Sequence, residues 1–118
     1  MIAHFDELNG FSDGFCLDLE QLPATFGRAA DVTVQVTNLL VSRYHCEIAV
    51  KNNQLVIRDL GSVNGTLLNG DRVDEAPLFS GDTLQIGLQS FLVRSIQNSM
   101  LDQHRRKTVE DSVAAVTV

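Results

Sequence analysis

Apolar and polar residues alternate in short runs along most of this chain, with no sustained helical period before residue 97. Ile2, Phe5 and Leu8 predict a first edge strand and Phe15 to Leu19 a second, separated by a turn cluster of Asn9, Gly10, Ser12, Asp13 and Gly14. Leu22-Pro23 leads into a short strand, Ala24-Thr25-Phe26, that stops at Gly27-Arg28. Val32, Val34 and Val36 alternate with Thr33 and Gln35, predicting a strand with its valines on one side, ended by Asn38. Cys46, Ile48 and Val50 alternate again, Asn52-Asn53 turns the chain, and Leu55 to Arg58 runs back as the second half of a hairpin. Thr66 to Leu68 and Arg72-Val73 flank Asn69-Gly70 as a second, very short hairpin. Pro77, Leu78 and Phe79 read as a bridge to the turn at Ser80-Gly81-Asp82. Thr83 to Ile86, an interruption at Gly87, and Phe91 to Val93 with Ile96 then close the sheet.

About ten short strands with turn signals every 8 to 12 residues or so form the pattern of a β-sandwich, whose connecting loops cluster at its ends. Residues with chemistry to offer therefore come from loops, which is where Arg28, Ser42, Arg43 and Asn64 fall. The chain has 118 residues, 44% of them hydrophobic, which suits one cored domain and contains no run long enough to span a bilayer. Residues 1–10 have neither a basic start nor an apolar signal core, so the expectation is a cytoplasmic protein. Cys16 and Cys46 lie in apolar runs and read as reduced, buried small hydrophobes rather than a disulfide or a metal site.

Charge narrows the function. Residues 1–96 carry six Lys or Arg against twelve Asp or Glu, a balance that repels a nucleic-acid backbone. An anion can still bind where a few cations gather, which favours one phosphate on a partner over many along a polymer. Between Val41 and Gly70 a hydroxyl (Ser42), a guanidinium (Arg43) and two Asn-Gly steps requiring positive φ stand close together. Those are the groups a bound phosphate asks for.

Gly27-Arg28, Val41-Ser42-Arg43 with His45, Asp59-Leu60-Gly61-Ser62 followed by Asn64-Gly65-Thr66, and later Gly81-Asp82 and Ile86-Gly87 resemble, in order and spacing, the forkhead-associated (FHA) domain over approximately residues 2–96. The resemblance implies an all-β, FHA/SMAD-like sandwich of about eleven mostly antiparallel strands with binding loops at one end. It implies a non-enzymatic module without cofactor or metal that binds phosphothreonine in partner proteins, in Ser/Thr kinase signalling, and neither nucleic acid nor membrane. Position by position, Arg28 is similar to the family's phosphate-binding arginine and Ser42 to its phosphate-binding hydroxyl. Arg43 stands where a further contact to phosphate or peptide is made. Asn64 resembles the asparagine that holds the peptide main chain, and Val63 stands where some members have a phosphate-touching threonine. Gly27, His45, Gly65 and Thr66 take the places of residues that support the site.

Two other readings compete. Ser42, His45 and Asp59 are the residue types of a hydrolytic triad, although there is no nucleophile elbow and no P-loop. A phosphate-independent interaction domain of the same fold would use a sheet face instead of the loops. Residues 97–118 form a polar tail or linker with three acids and three bases, frayed or helical around residues 100–113. Arg105 to Lys107 before Thr108 resemble a basophilic kinase site, with Asp111 three residues beyond. Phosphorylated Thr108 is thus a candidate for docking onto its own chain's pocket or a neighbour's. About 12 flexible residues average only ~20 Å of reach, and Leu39 and Leu40 offer Asp111 no cation.

Overall fold

The structure, a computed structural model, describes residues 2–10 and 13–94. Its eleven strands are β1 (Ile2–Glu7), β2 (Phe15–Asp18), β3 (Ala24–Gly27), β4 (Val34–Gln35), β5 (Cys46–Lys51) and β6 (Gln54–Asp59), then β7 (Thr66–Leu68), β8 (Asp71–Val73), β9 (Glu75–Pro77), β10 (Thr83–Ile86) and β11 (Gln89–Arg94). They form two sheets, ordered β2-β1-β11-β10-β7-β8 and β4-β3-β5-β6-β9, with every pairing antiparallel except β3 with β4. One 3-10 turn, Leu19–Gln21, follows β2, with the Asp18 carboxylate accepting from Glu20 N.

The alternation of the sequence becomes the core. Ala3 and Phe5 of β1, Ile48 of β5, Leu55 and Ile57 of β6, Leu84 and Ile86 of β10 and Phe91 and Val93 of β11 are all buried at every second position. Each such aliphatic or aromatic side chain contributes about 1.5–3 kcal/mol on leaving water. Phenylalanines fasten the two sheets together. Phe5 and Phe15 stack with centroids 4.8 Å apart in one sheet, and Phe26 of the other lies 5.5 Å from Phe15 and 6.3 Å from Phe5. The two hairpins turn as their asparagines demand: Asn52 and Asn53 have φ of 54° and 62°, and Asn69 and Gly70 have 52° and 89°.

Several expectations are corrected. The first strand is not an edge: β1 lies between β2 and β11, and β2 takes the edge. Leu8 falls past the end of β1 and is exposed, though its N–H still reaches Ser90 O at 2.8 Å. The strand expected over Val32–Val36 shrinks to Val34–Gln35, because residues 31–33 bend back, where Thr33 Oγ1 accepts from Thr25 N. The bridge at Pro77 contains a strand, β9, which ends on that proline at a sheet edge where a missing N–H costs no ladder bond. Cys46 is buried, but Cys16 is exposed, because Leu17 is the residue of β2 that faces the core. The Cys16 thiol instead sits 3.1 Å from His4 Nδ1 on the neighbouring strand. Ile96, the tail from 97 and Thr108 lie outside the described residues.

Candidate functional site

Three loops meet at one end of the sandwich: the one after β3 (28–33), the one before β5 (36–45) and the one between β6 and β7 (60–65). The chain brings the first two together by packing backbone on backbone. Arg28 N donates to Ser42 O at 3.0 Å and Ala29 N to Arg43 O at 3.1 Å. Gly27 makes this contact geometrically feasible: a Cβ on it would stand 2.0 Å from the Arg43 carbonyl oxygen. The glycine is needed for its missing side chain and not for an unusual φ.

The Arg28 side chain is oriented by its own Nε, which donates to Val41 O at 3.0 Å. Both terminal guanidinium nitrogens are left without a protein acceptor among the described residues. Ser42 Oγ accepts from Val63 N at 3.0 Å, so its own proton remains available to donate. Asn64 Nδ2 donates to Leu40 O at 2.9 Å, which fixes the carboxamide while its Oδ1 remains an unused acceptor. Arg28, Ser42 and Asn64 thus converge on one short stretch, residues 40–42. Arg43 is exposed, and its side chain makes no hydrogen bond or ion pair among the described residues. Val63 is 82% exposed, so its main-chain N–H is what the site uses. Beside the cup, Tyr44 Oη donates to both Asp31 carboxylate oxygens at 3.0 Å, and that hydrogen bond raises the phenol pKa.

Under this surface lies a buried brace. His45 is fully buried; its Nδ1 accepts from Ser42 N at 3.1 Å, so the ring is the neutral tautomer whose Nε2–H donates to Gly65 O at 2.8 Å. One imidazole therefore ties the Ser42 loop to the Asn64 loop. Asp59 organises the rest: its carboxylate accepts from Gly61 N, Ser62 N, Ser62 Oγ (2.5 Å) and Thr66 Oγ1 (2.8 Å), and Ser62 Oγ accepts from Gly65 N. Burial alone would raise the Asp59 pKa, but the Ser62 and Thr66 hydroxyls and the two main-chain N–H groups outweigh it and hold the carboxyl below its ordinary value.

Ser42, His45 and Asp59 do not form a triad. The imidazole meets Ser42 through its main chain, and Asp59 is committed to its own turn, so neither activates the hydroxyl. Sequence reasoning underrated Asp59 as a structural hub, although an aspartate followed two and three residues on by Gly61 and Ser62 is the signature of an Asx turn. It also passed over Arg72 of β8, whose Nε lies 2.7 Å from where a Gly65 Cβ would be. Nothing in the local sequence around Arg72 announces that placement, because it follows from the β7–β8 pairing.

A match to the FHA domain family covers residues 24–87, which includes all three loops. The glycogen accumulation regulator GarA of Mycobacterium tuberculosis is 41% identical over 69 residues, 58% of this chain and 43% of that protein. The oxoglutarate dehydrogenase inhibitor of Corynebacterium jeikeium is 37% identical over 73 residues, 62% of this chain and 49% of that protein. The chain thus matches less than half the length of these relatives. Among solved structures, a domain from work on phosphothreonine-dependent FHA domain interactions superposes with a TM-score of 0.73 at 26% identity, over 83% of this chain and all of that one. The FhaA FHA domain complexed with the intracellular domain of Rv3910 gives 0.69 at 29%, over 80% of this chain and all of that one. With more than half of its length inside the family match, and with the same two-sheet architecture, this chain belongs to the FHA domain family.

Proposed function

We propose that this domain is a phosphothreonine-dependent interaction module that captures a phosphorylated segment of a partner protein with the loops after β3, before β5 and after β6. The observation that carries the reading is the convergence of Arg28, Ser42 and Asn64 on residues 40–42, with two guanidinium nitrogens, a hydroxyl proton and a carboxamide oxygen unspent. On a body with a formal charge of -6, this is a local seat for one dianion. Arg28 supplies charge and a forked donor, Ser42 its hydroxyl, Arg43 a second cation at the rim, and Asn64 a grip on the ligand's main chain. Val63 lacks a hydroxyl, so anion recognition falls on Arg28, Ser42 and Arg43. Gly27, His45, Gly65 and Thr66 hold these groups in place. The relatives support the assignment: one is a glycogen accumulation regulator, one an oxoglutarate dehydrogenase inhibitor, and a structural neighbour comes from work on phosphothreonine-dependent FHA domain interactions.

Catalysis forms no part of the function, the partner being a phosphothreonine protein or peptide and a Ser/Thr kinase its writer, in the cytoplasm. Among the described residues no helix is long and apolar enough to cross a membrane. We assign the module to residues 1–96 and a linker role to 97–118. Phosphorylated Thr108 is the candidate for self-association. A Thr108-phosphorylated chain showing neither a chemical-shift change at Arg28 or Ser42 nor a concentration-dependent dimer removes that role.

The decisive experiment titrates a phosphothreonine peptide array and its unphosphorylated twins, with Arg28→Ala as control. Charge-assisted hydrogen bonds contribute about 1.5–3 kcal/mol each, so Arg28→Ala is expected to cost at least tenfold in affinity. Equal binding of twin peptides shifts the function to a sheet face. The outer surface of β5, β6 and β9 offers a groove of about 280 Å³ lined by Glu47, Ala49, Val50, Lys51, Val56, Arg58 and Glu75.

A further inference from the structure

We propose that Tyr44 is a positioning residue for the anion seat: its hydroxyl holds the Asp31 carboxylate off Arg28 and Arg43, so that an acid of the domain itself does not take the place of the ligand's phosphate. The role rests on the phosphothreonine function proposed above and adds to it the residue that keeps the two guanidinium groups open to a ligand.

The distribution of charge at the loop end carries the inference. Residues 1–96 contain twelve Asp or Glu, and the three loops of the site (28–33, 36–45 and 60–65) contain one of them, Asp31. Asp59, at the foot of the third loop, has both carboxylate oxygens taken up by its own turn. Asp31 is exposed and follows Arg28 by three residues in the same loop. That loop runs beside the one carrying Arg43, since Arg28 N donates to Ser42 O and Ala29 N to Arg43 O. Elsewhere on this acidic body, cations hold carboxylates: Lys51 with Glu75 at 3.0 Å, Arg58 with Glu47, and Arg94 with Asp6 at 2.6 Å. Asp31 has two exposed arginines close to it in the paired loops, yet among the described residues it forms an ion pair with neither.

Its partner is Tyr44, the single tyrosine of the chain and the residue directly after Arg43. The phenol oxygen lies 3.0 Å from each Asp31 carboxylate oxygen, so one O–H is shared between the two and turns the carboxylate edge toward the ring. A hydrogen bond to an ionised acceptor is among the stronger ones a hydroxyl makes. The phenol feels both neighbours: the Asp31 hydrogen bond raises its pKa, and the Arg43 charge opposes that rise. Without the hydroxyl, an uncommitted carboxylate stands in reach of Arg43, which has no partner among the described residues, and of the unspent nitrogens of Arg28. A guanidinium takes a carboxylate by the same planar, forked contact with which it takes a phosphate. Asp31 then competes with the ligand from within the chain, and its charge repels an arriving dianion.

The test is calorimetric titration at 0.15 M salt, on the full chain, with the tightest-binding phosphothreonine peptide from the array above. Wild type, Tyr44→Phe, Asp31→Ala and the double variant Tyr44→Phe/Asp31→Ala are compared, with an amide NMR spectrum of each to report its fold. Tyr44→Phe is expected to weaken binding about three- to fivefold, the scale of an exposed charge pair. Asp31→Ala is expected to bind at least as tightly as wild type, and the double variant to recover wild-type affinity. A contact that merely braced the two loops gives the opposite pattern, because either single variant breaks it: both weaken binding, and the double variant is no better than Tyr44→Phe. That pattern, or wild-type binding by Tyr44→Phe, overturns the role of Tyr44 while leaving the phosphothreonine function standing. If Tyr44→Phe does not fold, Asp31→Ala decides alone, weaker binding than wild type overturning the role and equal or tighter binding supporting it. Failure of the wild type to bind any phosphothreonine peptide of the array overturns both.

Discussion

Adding one methyl group at Gly27 is the sharpest perturbation the structure suggests. A Cβ there would stand 2.0 Å from Arg43 O, 2.7 Å from Arg43 C and 3.1 Å from Ser42 O, all main-chain atoms that no rotamer change can move aside. An ordinary carbon–oxygen contact is about 3.3 Å, so in Gly27→Ala the Arg43 carbonyl must retreat by about 1.3 Å. Overpacking of this kind costs about 1–3 kcal/mol. The retreat also stretches the Arg28 N–Ser42 O and Ala29 N–Arg43 O hydrogen bonds, worth about 1 kcal/mol each. Together these come to about 3–5 kcal/mol out of a domain stability of about 5–15 kcal/mol, a loss that a large drop in the urea midpoint reports while most of that range leaves the protein folded at room temperature. Binding suffers more, because the displacement separates the Ser42 hydroxyl from the Arg28 guanidinium. Losing two charge-assisted hydrogen bonds corresponds to at least a hundredfold in Kd. Urea denaturation gives the first quantity and calorimetric titration with a phosphothreonine peptide the second. Gly27→Ala with a wild-type urea midpoint and a Kd within threefold of wild type refutes the view that this backbone contact builds the site.

Asp59→Asn removes the charge that four donors converge on, and urea denaturation should show a loss of about 2 kcal/mol. Because the folded-state pKa of Asp59 is below its ordinary value of 3.8, the stability it contributes is complete above that value and is lost as pH falls through the lower folded-state value. Stability measured between pH 5 and 2.5 should therefore fall less steeply in Asp59→Asn than in the wild type; parallel curves contradict the hub role. Cys16 should react with a thiol reagent in the native protein while Cys46, buried and with its thiol pKa pushed up by that burial, reacts only in denaturant. Mass spectrometry after native labelling checks both, and modification of Cys46 without unfolding counts against its packing.

Much of this molecule is written locally. Period-two alternation names the inward residues of β6, β10 and β11 and of β5 as far as Ile48, Val50 being exposed at the strand's end, and paired Asn and Gly name the hairpins, because side-chain direction and positive φ are decided within a few residues. The order of motifs likewise brings Arg28, Ser42 and Asn64 into view before any coordinates. Which strand lies beside which is not local. Alternation says that a residue faces inward without saying across from whom, so β1 proved interior, β9 formed on a proline edge, and Cys16 turned to solvent once Leu17 claimed the core. The same holds at the site. Gly27 owes its importance to a carbonyl sixteen residues away, and His45 spans two loops by using both ring nitrogens. Arg72 comes to lie over Gly65 because β8 folds back on β7. The chain alone supplied the chemical groups and their faces; tertiary pairing, through contacts distant in sequence, decided which of them meet.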